Sequence, residues 1–250
     1  MTAQNFDLRK YLDRIGFEGK TDTDLPTLFA LMRSQLQSVP FENTTVQKKQ
    51  TPSLITEDIV DKIVEKGMGG YCYEVNGLFA IALTTLGFEW YFAAARPMFY
   101  PAKRPKTHMV VIVSLLGEEW LCDTGFGGYG LREPVALAKN MDFSQDGDKF
   151  HIEQNEDGEY ALSSLVSGEW QKQYGFAALP QEWIEFSLAN HFNATHPDTI
   201  FTQKKLAVMQ TRTGRKILVN DTLKLVENGE IVEISMLYKD ALKEHFGIVL

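Results

Sequence analysis

Gly69-Gly70-Tyr71-Cys72-Tyr73-Glu74-Val75-Asn76 decides how this chain is read, and the run continues through Leu78, Phe79, Ile81, Ala82 and Leu86 to Gly87. The two glycines permit a close-approach turn with no side chain in the way. The apolar residues after them read as a helix that Cys72 opens. A thiol there faces the positive end of the helix dipole and unpaired N–H groups. Both favour the thiolate, which is the nucleophilic form. One of only two cysteines in the chain, Cys72 is therefore the candidate for covalent catalysis.

The pattern differs on the two sides of Gly87. Upstream it is helical: one helix from Asp7 to Ile15 ended by Gly16, and a second opened by Asp24-Leu25-Pro26 and broken at Pro40-Phe41-Glu42-Asn43. A third runs from Thr56 to Gly67. Acidic starts and an early proline are helix-opening signals. Downstream, Trp90–Ala95, Met109–Val113, Glu119–Asp123, Phe150–Glu153, Tyr160–Leu162 and Glu169–Tyr174 read as strands, with turns at Gly117, Gly158 and Gly168. This middle third is expected to be an antiparallel sheet or small barrel. The last part mixes a helix from Pro180 to Phe192, hairpins about Thr213-Gly214 and Asn228-Gly229, and a closing helix from Met236 to His245. The order is helical, then β, then α+β, divided at 1–87, 88–178 and 179–250.

Composition narrows the classes of function. With 250 residues, 44% of them hydrophobic, the chain can bury a sizeable core. A net charge of -8 argues against a general nucleic-acid partner. No apolar run approaches the ~18 residues of a spanning helix, so no membrane partner is expected. The first residues lack a signal-peptide pattern, and the expected location is cytoplasmic. Two cysteines there read as free thiols, and no Cys/His spacing suits a metal.

A thiol nucleophile needs a base, and the base needs an orienting group. His108 begins the most apolar strand, and Asp123 ends the next. If the two pair through Leu116-Gly117, the start of one lies beside the end of the other, and a Cys–His–Asp constellation follows. Each residue also has a plain structural reading: Cys72 as a small buried hydrophobe, His108 as a surface or capping residue, Asp123 as the opener of a glycine-rich turn. Gly125-Phe126-Gly127-Gly128 follows a strand but lacks the phosphate-loop Lys-Ser/Thr.

These blocks resemble the arylamine N-acetyltransferase family across nearly the whole chain. The resemblance rests on Tyr11–Gly16, Val39–Asn43, Gly69–Asn76, Ala95–Pro97, Thr107-His108, Asp123–Gly127, Asn190–Pro197 and Phe246–Ile248. It implies an α+β fold in three parts: an N-terminal helical bundle, a central antiparallel β-barrel and a C-terminal α/β lid. The Cys-His-Asp arrangement would be papain/transglutaminase-like. The implied triad is Cys72, His108 and Asp123, performing ping-pong acetyl transfer from acetyl-coenzyme A to an arylamine, hydrazine or arylhydroxylamine. Phe126, Gly127 and Thr107 would contact the acceptor, although Phe126 reads equally well as a turn anchor. Gly125, Gly128, Lys103 and Arg104 would contact coenzyme A, although the basic run reads as well as a solvated loop. No metal is implied, and homo-oligomerisation is left open. Two departures stand out: Met68, where the family usually has Arg, and Thr124, where a small apolar residue is usual.

The same residues suit other functions. Deacylation by water would make a hydrolase or thioesterase. Intramolecular amide formation on a bound thioester would make an amide synthase. Met68 motivates a non-catalytic paralogue as a third class.

Overall fold

The computed structural model describes residues 1–250. Its helical opening comprises α1 (Leu8–Ile15), α2 (Leu25–Ser38), α3 (Thr44–Gln47), α4 (Thr56–Val60) and α5 (Cys72–Thr85), with a two-residue strand β1 (Phe41–Glu42) after α2. Local chemistry sets the helix ends. Asp7 accepts the N–H groups of Arg9 and Lys10, and Gly16 closes α1 at φ 63°. Asp24 accepts the Thr27 N–H at 2.9 Å, with Pro26 in the first turn of α2. The third helix does not run unbroken to Gly67, because α4 passes into a π-helical turn over Asp61–Glu65. Every residue of α5 from Cys72 to Leu83 is buried. A helix buried on all sides belongs at the centre of a core, and α5 lies there, its polar Glu74 and Asn76 paired internally.

The middle of the chain forms β2 (Glu89–Pro97), β3 (His108–Leu115), β4 (Glu118–Cys122), β5 (Val135–Ala136), β6 (Asn140–Gln145), β7 (Asp148–Gln154), β8 (Glu159–Val166) and β9 (Glu169–Ala177). They make one antiparallel sheet in the order β5-β4-β3-β2-β9-β8-β7-β6. Leu116-Gly117, Asp146-Gly147 and Ser167-Gly168 each take two successive positive φ angles, the backbone of two-residue hairpins whose twist matches the strands. The antiparallel sheet expected here is present and curls into a half-barrel. β5 pairs over only two residues, and β6 and β5 remain the two edges of the ladder.

A 3₁₀ turn (Trp183–Glu185) precedes α6 (Phe186–Thr195) and α7 (Ile200–Gln203). The helix expected from Pro180 starts later because Gln181 is held extended, its N–H donating to the Phe92 carbonyl. Then follow β10 (Leu206–Gln210), β11 (Gly214–Val219), β12 (Thr222–Glu227), β13 (Glu230–Ser235) and α8 (Tyr238–Phe246). These strands form a second sheet, β1-β10-β11-β12-β13, into which the early strand β1 is recruited. One apolar cluster of 43 residues runs from Tyr11 to Val208, and a second of 8 joins α8 to the smaller sheet. No helix is long and apolar enough to cross a membrane.

Arg14 ties α1 to the approach of the glycine turn. Its guanidinium donates to the carbonyls of Ile63 (2.9 Å), Ser38 (2.7 Å), Gly67 (3.3 Å) and Met68 (3.2 Å). A hydrogen bond to a charged group contributes about 1.5–3 kcal/mol, and such contributions do not sum within one network. Arg14→Met should therefore lower stability by about 2–4 kcal/mol, read as a lower urea midpoint at unchanged slope. A midpoint equal to that of the unmodified chain would contradict the tether.

Candidate active site

The start of α5 is built from backbone contacts that only glycine allows. The Gly70 N–H donates to the Pro40 carbonyl (3.1 Å), and the Glu42 N–H donates to the Gly70 carbonyl (2.9 Å), so the turn runs parallel to β1. A Cβ on Gly69 would lie 2.1 Å from the Pro40 oxygen, and one on Gly70 2.6 Å from the Glu74 Cβ. Glu74 then turns back and accepts the Tyr71 N–H at 3.1 Å, satisfying a donor that the helix leaves free.

His108 and Asp123 meet through strand register. Val111 of β3 faces Cys122 of β4. Continuing that ladder one step places Asp123 opposite Val110, which shares a face with His108, the diagonal neighbour on a pleated sheet. Asp123 leaves the ladder there, and its Oδ2 lies 2.8 Å from His108 Nε2. Both side chains are buried. The other oxygen, Oδ1, accepts the Gly125 N–H (2.9 Å) and Asn76 Nδ2 (3.2 Å). The turn carrying Asp123 packs directly on α5, since a Cβ on Gly125 would stand 2.7 Å from the Cys72 Cα.

Behind this contact runs a chain of buried polar groups that the sequence reading did not identify. The Tyr11 hydroxyl donates to Gln35 Oε1 (2.8 Å), and Gln35 Nε2 donates to the Thr124 hydroxyl (3.1 Å) and to the Val75 carbonyl (2.9 Å). Thr124 donates through both its N–H and its hydroxyl to Asn76 Oδ1, each at 2.8 Å. Asn76 Nδ2 also donates to the Met109 carbonyl at 2.7 Å. The hydroxyl at position 124 is thus fully engaged. Asn76 stands one helical turn beyond Cys72 on the same face, a spacing that could have singled it out.

Cys72, His108, Thr107, Arg104, Gly125, Phe126, Gly127 and Gly128 all line one cavity of about 410 Å³. Lys103 is not among its lining residues and is exposed. Asp123 sits behind His108. The Phe126 ring meets His108 edge-on at 5.1 Å and lies 4.8 Å from Tyr174, whose ring is itself 5.1 Å from His108. Tyr174, at the back of this cage, had no signal in its own stretch of sequence. The Thr107 carbonyl accepts from the Tyr73 hydroxyl (2.9 Å) and Asn193 Nδ2 (2.8 Å), joining α5 to α6. The Arg104 guanidinium lies 4.5 Å over the Tyr100 ring. Cys122 is buried at the end of β4.

The electrostatics of Cys72 are opposed. Burial pushes the thiol well up from its ordinary value, and the charges of Asp123 and Glu74 add to this. The N–H groups of Tyr73 and Cys72 pull the other way. The pull of the helix start is therefore opposed by burial and two carboxylates, and a positive charge formed beside Cys72 would favour its ionisation.

A family model described as "N-acetyltransferase" matches residues 24–250. An arylamine N-acetyltransferase of Mycolicibacterium smegmatis is 32% identical, covering 98% of this chain and 92% of the relative. The human arylamine N-acetyltransferase 1 is 31% identical, covering 98% and 94%. The structure of Mycobacterium marinum arylamine N-acetyltransferase in complex with CoA superposes with a TM-score of 0.90 at 29% identity, covering 97% and 93%.

The polar chain makes a pH-dependent prediction. Asn76→Asp keeps the shape but removes the donor to Met109 and places a carboxyl against Asp123. Burial and the neighbouring carboxylate raise the folded pKa of the new group above its ordinary ~3.9. The unfolded state then releases that proton first, so the penalty grows as pH rises through the unfolded value and levels off above the folded one. Stability should fall by about 3 kcal/mol at neutral pH and recover toward pH ~4, relative to the unmodified chain. Urea unfolding across pH measures this. A pH-independent difference would contradict the contact with Asp123.

Proposed function

Because the chain belongs to the arylamine N-acetyltransferase family, a family of acyltransferases, we propose that it transfers an acetyl group from acetyl-coenzyme A to an arylamine or hydrazine through a thioester on Cys72. The supporting observation is the shared cavity: Cys72 and His108 line it, and Asp123 holds the far nitrogen of the imidazole. With Nε2 engaged by Asp123, Nδ1 is the nitrogen left to take the thiol proton. That transfer forms the positive charge which the buried thiolate requires. The three groups together carry a net charge of one electron before and after, so the step adds no charge to the interior.

The proposed sequence balances. The Cys72 proton moves to His108, and the thiolate attacks the carbonyl carbon of acetyl-coenzyme A. Backbone N–H groups at the start of α5 stabilise the oxyanion. The coenzyme A thiolate leaves and takes the proton from His108. In the second half, the amine attacks the Cys72 thioester and gives a proton to His108, and the Cys72 thiolate departs and is reprotonated. Asp123 stays ionised and stabilises the imidazolium in both halves.

The cavity suits a planar aromatic acceptor, with Phe41, Phe99, Phe126, Phe192 and Phe201 on its walls. In this reading residues 1–87 supply the nucleophile, 88–178 supply His108 and Asp123, and 179–250 close the far side as a lid. Gly127 and Thr107 border the acceptor. Gly125, Gly128 and Arg104 border coenzyme A, with Lys103 acting only from the loop outside.

Mass spectrometry after incubation with acetyl-coenzyme A should find one acetyl group, on the Cys72 peptide. An arylamine should discharge it, Cys72→Ala should carry none, and His108→Ala should acquire it about 10³-fold more slowly. An unacetylated protein would refute the proposal. Discharge by buffer as fast as by amine would make the chain a thioesterase.

A further inference from the structure

Lys62 lies in the π-helical turn, and its ammonium points into the protein toward two carboxylates. Nζ is 2.7 Å from Glu74 Oε1, 3.4 Å from Glu42 Oε1 and 3.1 Å from the Thr45 hydroxyl. The carboxylates of Glu42 and Glu74 are essentially inaccessible, and Lys62 is mostly so. A buried ion pair is weak evidence for stability, because desolvation consumes much of the Coulomb gain. This cluster is costlier still, with two carboxylates to one ammonium and no hydrogen bond to Glu42 Oε1. Its placement gives it a different use.

The three residues surround the glycine turn that presents Cys72. Glu42 sits on β1, whose N–H holds the Gly70 carbonyl. Glu74 accepts the Tyr71 N–H at the start of α5. The Lys62 carbonyl accepts the Met68 N–H at 3.1 Å, so lysine also holds the turn by its backbone. Met68 itself, where an arginine would be usual, packs its side chain against the apolar cluster of α8 and the smaller sheet. The residue before the glycines supplies no cation, and Lys62 reaches the turn from the helix before it.

We propose that Lys62 is a positioning residue for the Cys72 nucleophile, neutralising Glu42 and Glu74 so that the start of α5 stays in place and free of excess negative charge. The proposal rests on the reading of Cys72 as the nucleophile. Burial would depress the Lys62 ammonium, yet Glu74 and Glu42 overturn this and raise it; burial and Glu42 raise the Glu74 carboxyl, and Lys62 at 2.7 Å opposes that shift. Asp123 and Glu74 both disfavour the thiolate, and His108 lines the same cavity as the thiol. Tyr71 and Tyr73 are kept neutral by burial. Of the two carboxylates, Glu74 is the one Lys62 offsets.

The test is the pH profile of Cys72 alkylation by iodoacetamide, with melting temperature recorded on each variant. Lys62→Met should move the midpoint up by about one pH unit and slow alkylation about tenfold at pH values below the native midpoint. Lys62→Arg should restore the native profile. Glu74→Gln, which removes a negative charge while its side-chain carbonyl still accepts from Tyr71, should move the midpoint down, and it decides the matter if Lys62→Met does not fold. Midpoints that stay fixed while only melting temperature falls would reduce Lys62 to a structural residue and overturn the proposal. An unmodified protein whose profile follows an ordinary thiol would instead overturn the nucleophile reading itself.

Discussion

The contact between Gly125 and the Cys72 backbone is the constraint on which the rest of the site depends. A side chain at position 125 would collide with the Cys72 Cα and also stand 2.9 Å from Val75 Cγ2. The turn after β4 can therefore dock on α5 only backbone to backbone. Once it does, sheet register does the remainder. β3 and β4 are paired in one alignment, and that alignment carries His108 to the diagonal position from Asp123. A one-residue slip would turn His108 to the opposite face. The helix that carries Cys72 and the sheet that carries His108 thus form a single unit, joined where no side chain fits.

That unit is charged and buried, and its polar groups are arranged accordingly. Both Asp123 oxygens are occupied, by His108 on one side and by Gly125 and Asn76 on the other. Asn76 is fixed in turn by Thr124, and Thr124 by Gln35. An unpaired buried charge costs several kcal/mol, so such a chain holds only if every member has its partner. Cys72 is the exception by design of its surroundings: burial and two carboxylates oppose its ionisation. In the proposed mechanism proton transfer to His108 resolves this, and in its proposed positioning role Lys62 limits the opposition.

Much of the fold was legible because its signals are local. The Asp7 and Asp24 caps, the Gly16 stop, the Asn228-Gly229 hairpin and the largely apolar α5 each announce themselves within a few residues. β1, β6 and the π turn do not. β1 is two residues long and exists because β10 recruits it, and β6 carries Asn, Asp, Ser and Gln between single apolar residues. Cys72, His108 and Asp123 could be grouped from a helix start and a hairpin. Asn76 stood in the same quoted stretch and was legible only as part of the helix. Gln35, Tyr174 and Lys62 depend on contacts across long separations, which no local pattern records. Lys103 shows the converse: a run of basic residues is visible in sequence, but the fold turns this one away from the cavity while Arg104 reaches it.

In the proposed mechanism, buried Cys72 becomes a thiolate by giving its proton to His108. Ultraviolet thiolate absorbance, taken as the difference between the native protein and Cys72→Ser, tests it directly. One thiolate should persist well below the ~8.5 of a free thiol and be lost at neutral pH in His108→Phe. A thiolate that appears only above that value, or one indifferent to His108, would contradict it.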